Sequence, residues 1–365
     1  MSLQMEDLIY YDDDENYTDF NMTEDECHQG TELPLSHVYL PMLYFLIFFT
    51  GVSGNLFVIM VMRSKDKSRR LVDTFVANLA LADLVFVFTL PLWAVSAANR
   101  HRWDLGDPLC KLSSYVIAVN RFSNVFFLAC MSVDRYLAVV RLQDSRFQRT
   151  GRGIRLTCAV VWASSLLLGV PSLVFRRAAQ QHEDGADDVR CLEDTDSPLF
   201  LGFGLASLLL AFLLPLLVIL CCYSAVLCEL RRYRVPGNAK TECHRRHSLK
   251  IVLAIVAAFV VSWLPFNVFK GVLTGSRLLG ATLSCDAHAF LGRALILSSC
   301  LAFLNSCANP VIYLLLDRHF RRRARALCLR VLYGGELHGT TTSTGVSDSR
   351  SGSTATRSRL YSLNL

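Results

Sequence analysis

Charged residues are scarce in this chain, and its first part has no cations at all. Of 365 residues, 19% are charged and 52% are hydrophobic, and the mean hydropathy is +0.35. The first 62 residues contain eleven Asp or Glu and no Lys or Arg, so they carry −11, while the remainder carries +17 of the net +6. This distribution excludes disorder of the whole chain and a uniformly charged soluble surface. We interpret the chain as an all-α membrane protein with polar ends.

Other absences exclude further classes of protein. No repeat and no symmetry between the halves is visible, which argues against an inverted-repeat transporter. No metal-ligand cluster, nucleophile elbow or phosphate loop is present, so we expect no enzyme activity, and we expect no nucleic-acid partner. A channel would need a series of charged residues through the membrane, but only Asp83 and Arg121 lie deep. The N-terminal segment lacks the basic and apolar regions of a cleaved signal peptide.

Seven stretches are apolar over the length needed to cross a bilayer, which is about 20 residues for a helix. They lie at residues 38–62, 72–98, 109–140, 154–175, 198–230, 248–274 and 288–316. The predicted organisation is therefore an acidic N-terminal tail at 1–37, a seven-transmembrane helix bundle at 38–316, a short amphipathic cytoplasmic helix at 317–332 and a disordered Ser/Thr-rich tail at 333–365.

Basic residues follow spans 1, 3, 5 and 7. They are Arg63, Lys65, Lys67, Arg69 and Arg70; Arg141, Arg146, Arg149, Arg152 and Arg155; Arg231, Arg232, Arg234, Lys240, Arg245 and Arg246; and Arg318, Arg321, Arg322, Arg323 and Arg325. Because basic loops face the cytoplasm, we expect a multi-pass plasma-membrane protein with an extracellular N-terminus.

The predicted extracellular tail carries modification signals. Asn16 and Asn21 begin glycosylation sequons. Tyr10 and Tyr11 precede four consecutive acidic residues, the context in which tyrosine sulfation occurs. The loop between spans 4 and 5 is acidic too, so a negative outer surface would attract a basic protein or peptide. The alternative is a solvated tail kept soluble by its charge.

Four of the 13 cysteines lie on predicted extracellular segments. They are Cys27, Cys110, Cys191 and Cys285. An oxidising environment allows two disulfides there, and the residues alone leave three pairings open.

Short motifs occur in order along the spans. They are Gly54-Asn55 in span 1, Leu79-Ala80-Leu81-Ala82-Asp83 in span 2, Asp134-Arg135-Tyr136 in span 3, Trp162 in span 4, Pro215 and Tyr223 in span 5, Ser262-Trp263-Leu264-Pro265 in span 6 and Asn309-Pro310-Val311-Ile312-Tyr313 in span 7. Together they resemble the rhodopsin-like (class A) family of G-protein-coupled receptors over residues 38 to about 330.

A narrower resemblance rests on span 2 and on the cysteines. Thr89-Leu90-Pro91 with Trp93 is similar to the chemokine-receptor branch and its peptide-receptor neighbours, and residues 69–75 and 305–313 look most like apelin-receptor-type and related orphan receptors. The resemblance implies the disulfides Cys110–Cys191 and Cys27–Cys285. It also implies a secreted peptide or chemokine-like ligand, a heterotrimeric G protein of the Gi type, arrestin and receptor kinases as partners.

Three single positions test other ligand classes. Ile117 stands where amine receptors carry an Asp, and Phe303 stands where opsins carry the retinal-binding Lys. Both classes are thereby excluded. Ser299 stands where many chemokine receptors carry a Glu, which argues against a chemokine amine held by a salt bridge at this place.

The family resemblance assigns activation and G-protein coupling to a set of residues that runs from a hinge in span 6 to the cytoplasmic end of span 3. They are Asp134, Arg135, Tyr136, Tyr223, Trp263, Pro265, Asn309, Pro310 and Tyr313. Many relatives hold the Arg of the Asp-Arg-Tyr motif with an acid at the start of span 6, whereas this chain has Arg245 and Arg246 in that region. We therefore expect some signalling without agonist.

Two ionisable side chains inside the bundle need partners, since an unpaired charge in hydrocarbon is costly. Asp83 is expected to meet four amides, and the resemblance implies an allosteric Na⁺ site. These amides are Asn120, Asn124, Asn305 and Asn309. The alternative is a polar network that holds water and packs the helices. No other cofactor is expected.

Arg121 lies in span 3 below the outer mouth of the bundle. With Lys270 and Arg293 it suggests a cationic pocket, bordered by Trp93, Ile117 and Trp263, for a ligand carboxylate such as the free C-terminus of a peptide. One alternative is that Arg121 pairs internally with Asn or Asp side chains. Another is that the Arg121/Lys270 pocket takes a small anionic or lipid ligand.

The segment after Tyr313 alternates basic and apolar residues. This pattern predicts a helix that lies on the anionic lipid of the inner leaflet. Cys328 on this helix is either palmitoylated or an unmodified thiol. The tail beyond it offers Ser and Thr sites for receptor kinases, after which arrestin would bind.

Overall fold

The computed structural model describes residues 33–64, 72–140, 151–183, 186–193, 197–232 and 239–339. Within these ranges, seven helical segments are long and apolar enough to cross a membrane. They are Ser36–Arg63, Val72–Ala98, Asp107–Ala138, Gly151–Phe175, Leu199–Glu229, Leu249–Leu278 and Cys285–Leu316, called spans 1 to 7 from here on. The predicted seven-helix bundle is confirmed.

Each span is built from one or two helices. In chain order these are α1 (Ser36–Arg63), α2 (Val72–Val87), α3 (Leu90–Ala98), α4 (Asp107–Val139), α5 (Gly151–Gly169), α6 (Pro171–Phe175), α7 (Pro198–Leu208), α8 (Leu214–Arg232), α9 (Ala239–Leu278) and α10 (Cys285–Leu316). A last helix, α11, runs over Arg318–Gly339.

Proline determines where several spans are interrupted. Span 2 breaks before Pro91 and span 4 breaks before Pro171, because proline has no N–H to continue the helical ladder. In span 5 the residues Leu209–Leu213 form a π-helical turn that ends two residues before Pro215. Pro265 and Pro310 lie inside helices α9 and α10, which continue through them.

A β-hairpin joins spans 4 and 5, and it was not anticipated. Strand β1 (Arg176–Glu183) pairs antiparallel with β2 (Ala186–Glu193), with Ala178 opposite Cys191. The predicted Cys110–Cys191 disulfide is present and ties β2 to the start of span 3. Cys285 is also disulfide-bonded. Cys27 lies outside the described residues, so the Cys27–Cys285 pair stays a prediction.

Helix α11 differs from its prediction in two respects. It continues to Gly339, past the predicted end at residue 332 and into the segment expected to be disordered. In addition, Arg323 does not face lipid. Its Nη1 donates to Asp73 Oδ2 at 2.7 Å and its Nη2 donates to the Met62 carbonyl at 3.0 Å. Both charged side chains are only 2% exposed, so this ion pair fastens α11 to the ends of spans 1 and 2.

The buried pair predicts a large stability effect. Arg323→Gln leaves the Asp73 carboxylate buried beside a neutral partner, which we expect to cost about 3 kcal/mol. The melting midpoint of the purified protein in detergent should fall, whereas Arg322→Gln, at an exposed position of the same helix, should leave it unchanged.

A double variant separates the ion pair from general damage to the helix. Asp73→Asn with Arg323→Gln removes both charges, so its loss should be smaller than the sum of the two single losses. Strict additivity would contradict a direct interaction.

Candidate ligand pocket and activation network

The end of the bundle that carries the Cys110–Cys191 disulfide, called the disulfide end, contains a cavity of about 300 Å³ between the spans. The hairpin contributes to its wall through Arg176 and Glu193. The predicted pocket residues that line it are Trp93, Ile117, Arg121 and Trp263. Residues that the sequence reasoning missed also line it: Tyr44, His101, Ser114, Ser172, Phe266 and Ile296. No motif pointed to these side chains, since their meeting depends on how the helices pack.

A second cavity, of about 450 Å³, adjoins the first between spans 3, 4, 5 and 6. Lys270 lines this second cavity, and Arg121, Glu193, Ser172 and Phe266 line both.

The prediction for Arg293 is wrong. Arg293 is exposed and lines neither of these two cavities. It shares its face of span 7 with the exposed Phe290 and Leu297, since residues three and four apart lie on one side of a helix.

Glu193 pairs with two cations at the pocket. Its carboxylate accepts a hydrogen bond from Arg176 Nη2 at 2.8 Å and another from Lys270 Nζ. The acidic loop between spans 4 and 5 predicts that Glu193 lies on the outer surface. Instead, the disulfide at Cys191, two residues before it, holds this part of β2 against the bundle, and Glu193 lines the cavity. The lining therefore combines one carboxylate with three cations, Arg121, Arg176 and Lys270, which leaves an excess of positive charge.

Arg121 has hydrogen-bonding capacity to spare. Its Nη2 donates to Ser207 Oγ at 2.6 Å, and its guanidinium lies 5.3 Å from the centre of the Phe122 ring. Its Nε is buried and has no hydrogen-bond partner among the described residues. The partner that was expected under an internal pairing was Asn or Asp, whereas the observed one is a neutral hydroxyl. The guanidinium charge is therefore available to an anion in the cavity.

Asp83 lies at the centre of a polar network inside the bundle and is fully buried. Its Oδ1 accepts hydrogen bonds from Asn120 at 3.1 Å, Asn124 at 2.8 Å and Ser306 at 3.0 Å. Its Oδ2 accepts one from Asn309 at 3.0 Å. Ser306 was missed because a single serine within a transmembrane span gives no signal of its own.

Three of the four predicted amides donate to Asp83, whereas Asn305 is absent from the observed hydrogen bonds to this carboxylate. Three of the four amide oxygens lack a partner of their own within the described part of the chain. The Oδ1 atoms of Asn124, Asn305 and Asn309 are buried and accept no hydrogen bond from any described residue. Unpaired buried acceptors are unusual and need an explanation. Neutral oxygens around one carboxylate are a donor set that suits a small hard cation.

Part of the predicted coupling set lies toward the opposite end of the bundle, called the Arg135 end. Arg135 Nη2 lies 3.3 Å from Asp134 Oδ2. Tyr223 and Tyr313 are both buried, and the Tyr313 ring packs 6.0 Å from Phe320 of α11. Tyr136 is partly buried against the core.

Trp263 is the residue of span 6 at which the pocket meets the proline-containing part of the helix. Its ring lines the first cavity and packs 6.2 Å from Phe259 and 6.0 Å from Phe266. Asn267 Nδ2 donates to the Trp263 carbonyl at 2.8 Å beside Pro265. A ligand that moves this ring therefore acts on the helix at its proline.

Spans 1 and 7 approach each other closely at Pro310. A Cβ added at Gly54 would lie 3.0 Å from Pro310 Cγ, so glycine permits the contact. Nearby, Asn55 Nδ2 donates to the Ser306 carbonyl at 2.9 Å. The Gly54-Asn55 motif thus fixes the helix that carries Asn309 and Tyr313.

Comparison with known proteins agrees with the fold and the motifs. The family described as 7 transmembrane receptor (rhodopsin family) matches residues 54–313. The chain therefore belongs to the rhodopsin-like class of G-protein-coupled receptors, which are multi-pass membrane receptors and not enzymes.

Similar curated proteins lie within that class. The chain is 46% identical over 299 residues to Probable G-protein coupled receptor 25 of Mus musculus, with 82% of this chain and 80% of that one covered. It is 38% identical over 335 residues to Apelin receptor A of Danio rerio, covering 89% and 91%. It is 33% identical over 303 residues to Type-1 angiotensin II receptor B of Rattus norvegicus, covering 82% and 83%.

The Glu193 ion pairs predict a specific pH dependence. Burial alone would raise the pKa of the Glu193 carboxyl, but the charges of Arg176 and Lys270 and their hydrogen bonds outweigh burial and hold the pKa below its ordinary value of 4.5. A lowered pKa means that the stabilisation is complete above the ordinary value and is lost only as pH falls through the lowered one.

We therefore expect the melting midpoints of the native receptor and the Glu193→Gln variant to differ by the same amount at about pH 7 and at about pH 5. As the pH falls further, from about 4.5 toward about 3, the difference should shrink, because the unfolded chain then binds a proton at this carboxyl that the folded protein does not. A difference that stays constant down to about pH 3 would contradict a lowered pKa of Glu193.

Proposed function

We propose that this protein is a receptor for a secreted peptide or small chemokine-like protein, whose C-terminal carboxylate binds Arg121. The observation that carries the proposal is the pocket lined by three cations and one carboxylate, with spare donor capacity on the innermost cation. In this proposal the disulfide end and the N-terminus are extracellular, as the basic segments after spans 1, 3, 5 and 7 favour.

The geometry supplies a route from ligand to G protein. A carboxylate at Arg121 would lie in the same cavity as Trp263. Its arrival would change the packing of that ring, and span 6 would move about Pro265. Arg135 would then leave Asp134 and contact a heterotrimeric G protein at the Arg135 end.

The similar proteins support a peptide ligand. Two of them are named as receptors for apelin and for angiotensin II. Signalling through a Gi-type protein, phosphorylation by receptor kinases and arrestin binding follow from the same family membership as proposals. The kinase sites would lie in the Ser/Thr-rich tail from Thr340 onward, which is outside the described residues.

The body of the ligand is expected to be basic. The acidic N-terminal tail with Tyr10, Tyr11, Asn16 and Asn21 lies outside the described residues. Its charge would raise the encounter rate of a cationic ligand, an effect that salt screens. The ligand thus has two recognised parts, a basic body outside and an anionic end inside the pocket.

The ligand proposal is tested by paired peptides. A library of basic secreted peptides, each with a free and an amidated C-terminus, is applied to cells that carry the receptor, and G-protein activation is measured. A peptide that activates the native receptor should lose about ten- to a hundredfold in potency when amidated, because a charge-assisted pair with Arg121 is lost.

The matched control uses receptor variants at equal surface expression. Arg121→Gln should weaken the free-acid peptide and leave the amidated one unchanged, whereas Arg293→Gln, outside the pocket, should change neither. Equal potency of both peptide forms would contradict the carboxylate proposal. Activation by small anionic lipids alone would favour the alternative ligand class.

We infer further that the Asp83 network holds a sodium ion in the inactive receptor. The buried, unpaired amide oxygens of Asn124, Asn305 and Asn309 support the inference. Asp83 would supply the negative charge, and the amide oxygens would complete the coordination of the ion.

Sodium should then lower signalling in the absence of agonist. We expect GTPγS binding to receptor membranes to be lower in sodium chloride than in choline chloride at equal ionic strength. The difference should vanish in Asp83→Asn, which removes the negative charge. An equal sodium effect in the native receptor and in Asp83→Asn would contradict a site at Asp83.

A further inference from the structure

The second cavity differs from the first in the residues around its mouth. Apolar side chains of spans 4 and 5 line it, and several are exposed on the outer face of the bundle. Leu167 is 71% exposed and Phe203 is 50% exposed, and Val170 and Leu210 also line the cavity and are exposed. An exposed apolar surface on a transmembrane helix faces hydrocarbon, so this cavity opens sideways into the membrane.

Aromatic contacts join spans 4 and 5 at one side of the cavity. Phe175 at the end of span 4 packs 5.6 Å from Phe200 and 6.0 Å from Phe203 at the start of span 5. Between this contact and Leu210, which lies further into span 5, residues of both spans line the cavity. A flexible chain can therefore pass from the bilayer between spans 4 and 5.

The inner end of the same cavity is cationic. Arg121, Lys270 and Ser207 line it together with Glu193. Glu193 already pairs with Lys270 and Arg176, whereas the guanidinium of Arg121 makes its observed hydrogen bond to the neutral Ser207. The cavity thus joins an apolar mouth in the membrane to a buried cation that still has donors available.

The geometry points to a lateral binding site for a single-chain lipid with a carboxylate head, such as a long-chain fatty acid. The carboxylate pairs with Arg121, and the chain lies along Leu167, Val170, Phe203 and Leu210 and extends into the bilayer. A cavity of about 450 Å³ is of the size that small-molecule sites have.

A single-chain carboxylate fits better than a phospholipid. Arg121 lies in the middle of span 3, away from the level at which phospholipid head groups reside. A small planar carboxylate matches the fork of a guanidinium, and one chain can thread between two helices. A two-chain lipid with a large head group would have to leave the interface entirely.

Because the peptide carboxylate and the fatty acid would both pair with Arg121, the lipid would regulate binding of the peptide. One positive charge at the junction of two cavities cannot neutralise a carboxylate in each of them. The fatty acid is therefore a competitor of the peptide carboxylate, a consequence that rests on the proposed function. Occupancy of the lateral site itself does not.

Photolabelling tests the site directly. The full-length receptor is reconstituted in phosphatidylcholine nanodiscs and irradiated with a palmitic acid analogue that carries a diazirine in its chain. The control probe is the matching alcohol. We expect the acid to label spans 4 and 5 about tenfold more than the alcohol, because only the acid carries a charge for Arg121.

Variants locate the labelled site. Leu167→Trp fills the mouth and should abolish the excess labelling, whereas Leu156→Trp, at another exposed position of span 4, should not. Arg121→Gln should reduce labelling by the acid to the level of the alcohol. Unlabelled palmitate should compete, and lysophosphatidate should not.

Three results would overturn the proposal. They are equal labelling by acid and alcohol, labelling spread evenly over lipid-facing residues of all spans, and an unchanged pattern in Leu167→Trp. Competition by lysophosphatidate equal to that by palmitate would refute the carboxylate specificity. Since no peptide is present, these outcomes are independent of the peptide screen.

Discussion

A charge inside a membrane-spanning bundle has no water to solvate it, and this receptor is organised around how its buried charges are compensated. Asp83 is surrounded by neutral donors. Asp73 has a cation from another helix. Arg121 hydrogen-bonds the neutral hydroxyl of Ser207 and lies over the Phe122 ring. The first two arrangements hold helices together, whereas the third leaves a charge that a ligand can complete.

The hairpin and its disulfide complete the wall of the pocket in which Arg121 lies. Cys191 fixes β2 above span 3, and Glu193 then neutralises part of the charge of Arg176 and Lys270. Without Glu193 the three cations would repel one another in a low-dielectric space. With it, the remaining positive charge concentrates near Arg121, beside Trp263 and the proline of span 6. The same charge borders the second cavity, so in our proposals the peptide carboxylate and the fatty-acid carboxylate bind the same residue.

Much of the fold was predictable because a membrane imposes it. A helix must be about 20 apolar residues long to satisfy its backbone in lipid, so the seven spans were evident from hydropathy. The motifs identified the family, and Asp83 with its amides followed from the cost of a buried carboxylate. The hairpin was missed because its strands carry many charged residues and no strict alternation. Arg323 was misassigned because a basic residue in an amphipathic helix is usually on its polar face.

By itself, the sequence determined the number of spans, their membrane-crossing character, the family and the presence of two ionisable groups deep in the bundle. Local composition is sufficient for these properties, since each depends on a continuous segment or on one residue in lipid. Only the tertiary structure decided which groups meet. Asp73 with Arg323, Glu193 with Lys270, Arg121 with Ser207 and the exclusion of Arg293 from the pocket all depend on helix rotation and packing between distant segments. No pattern within one segment encodes these relations.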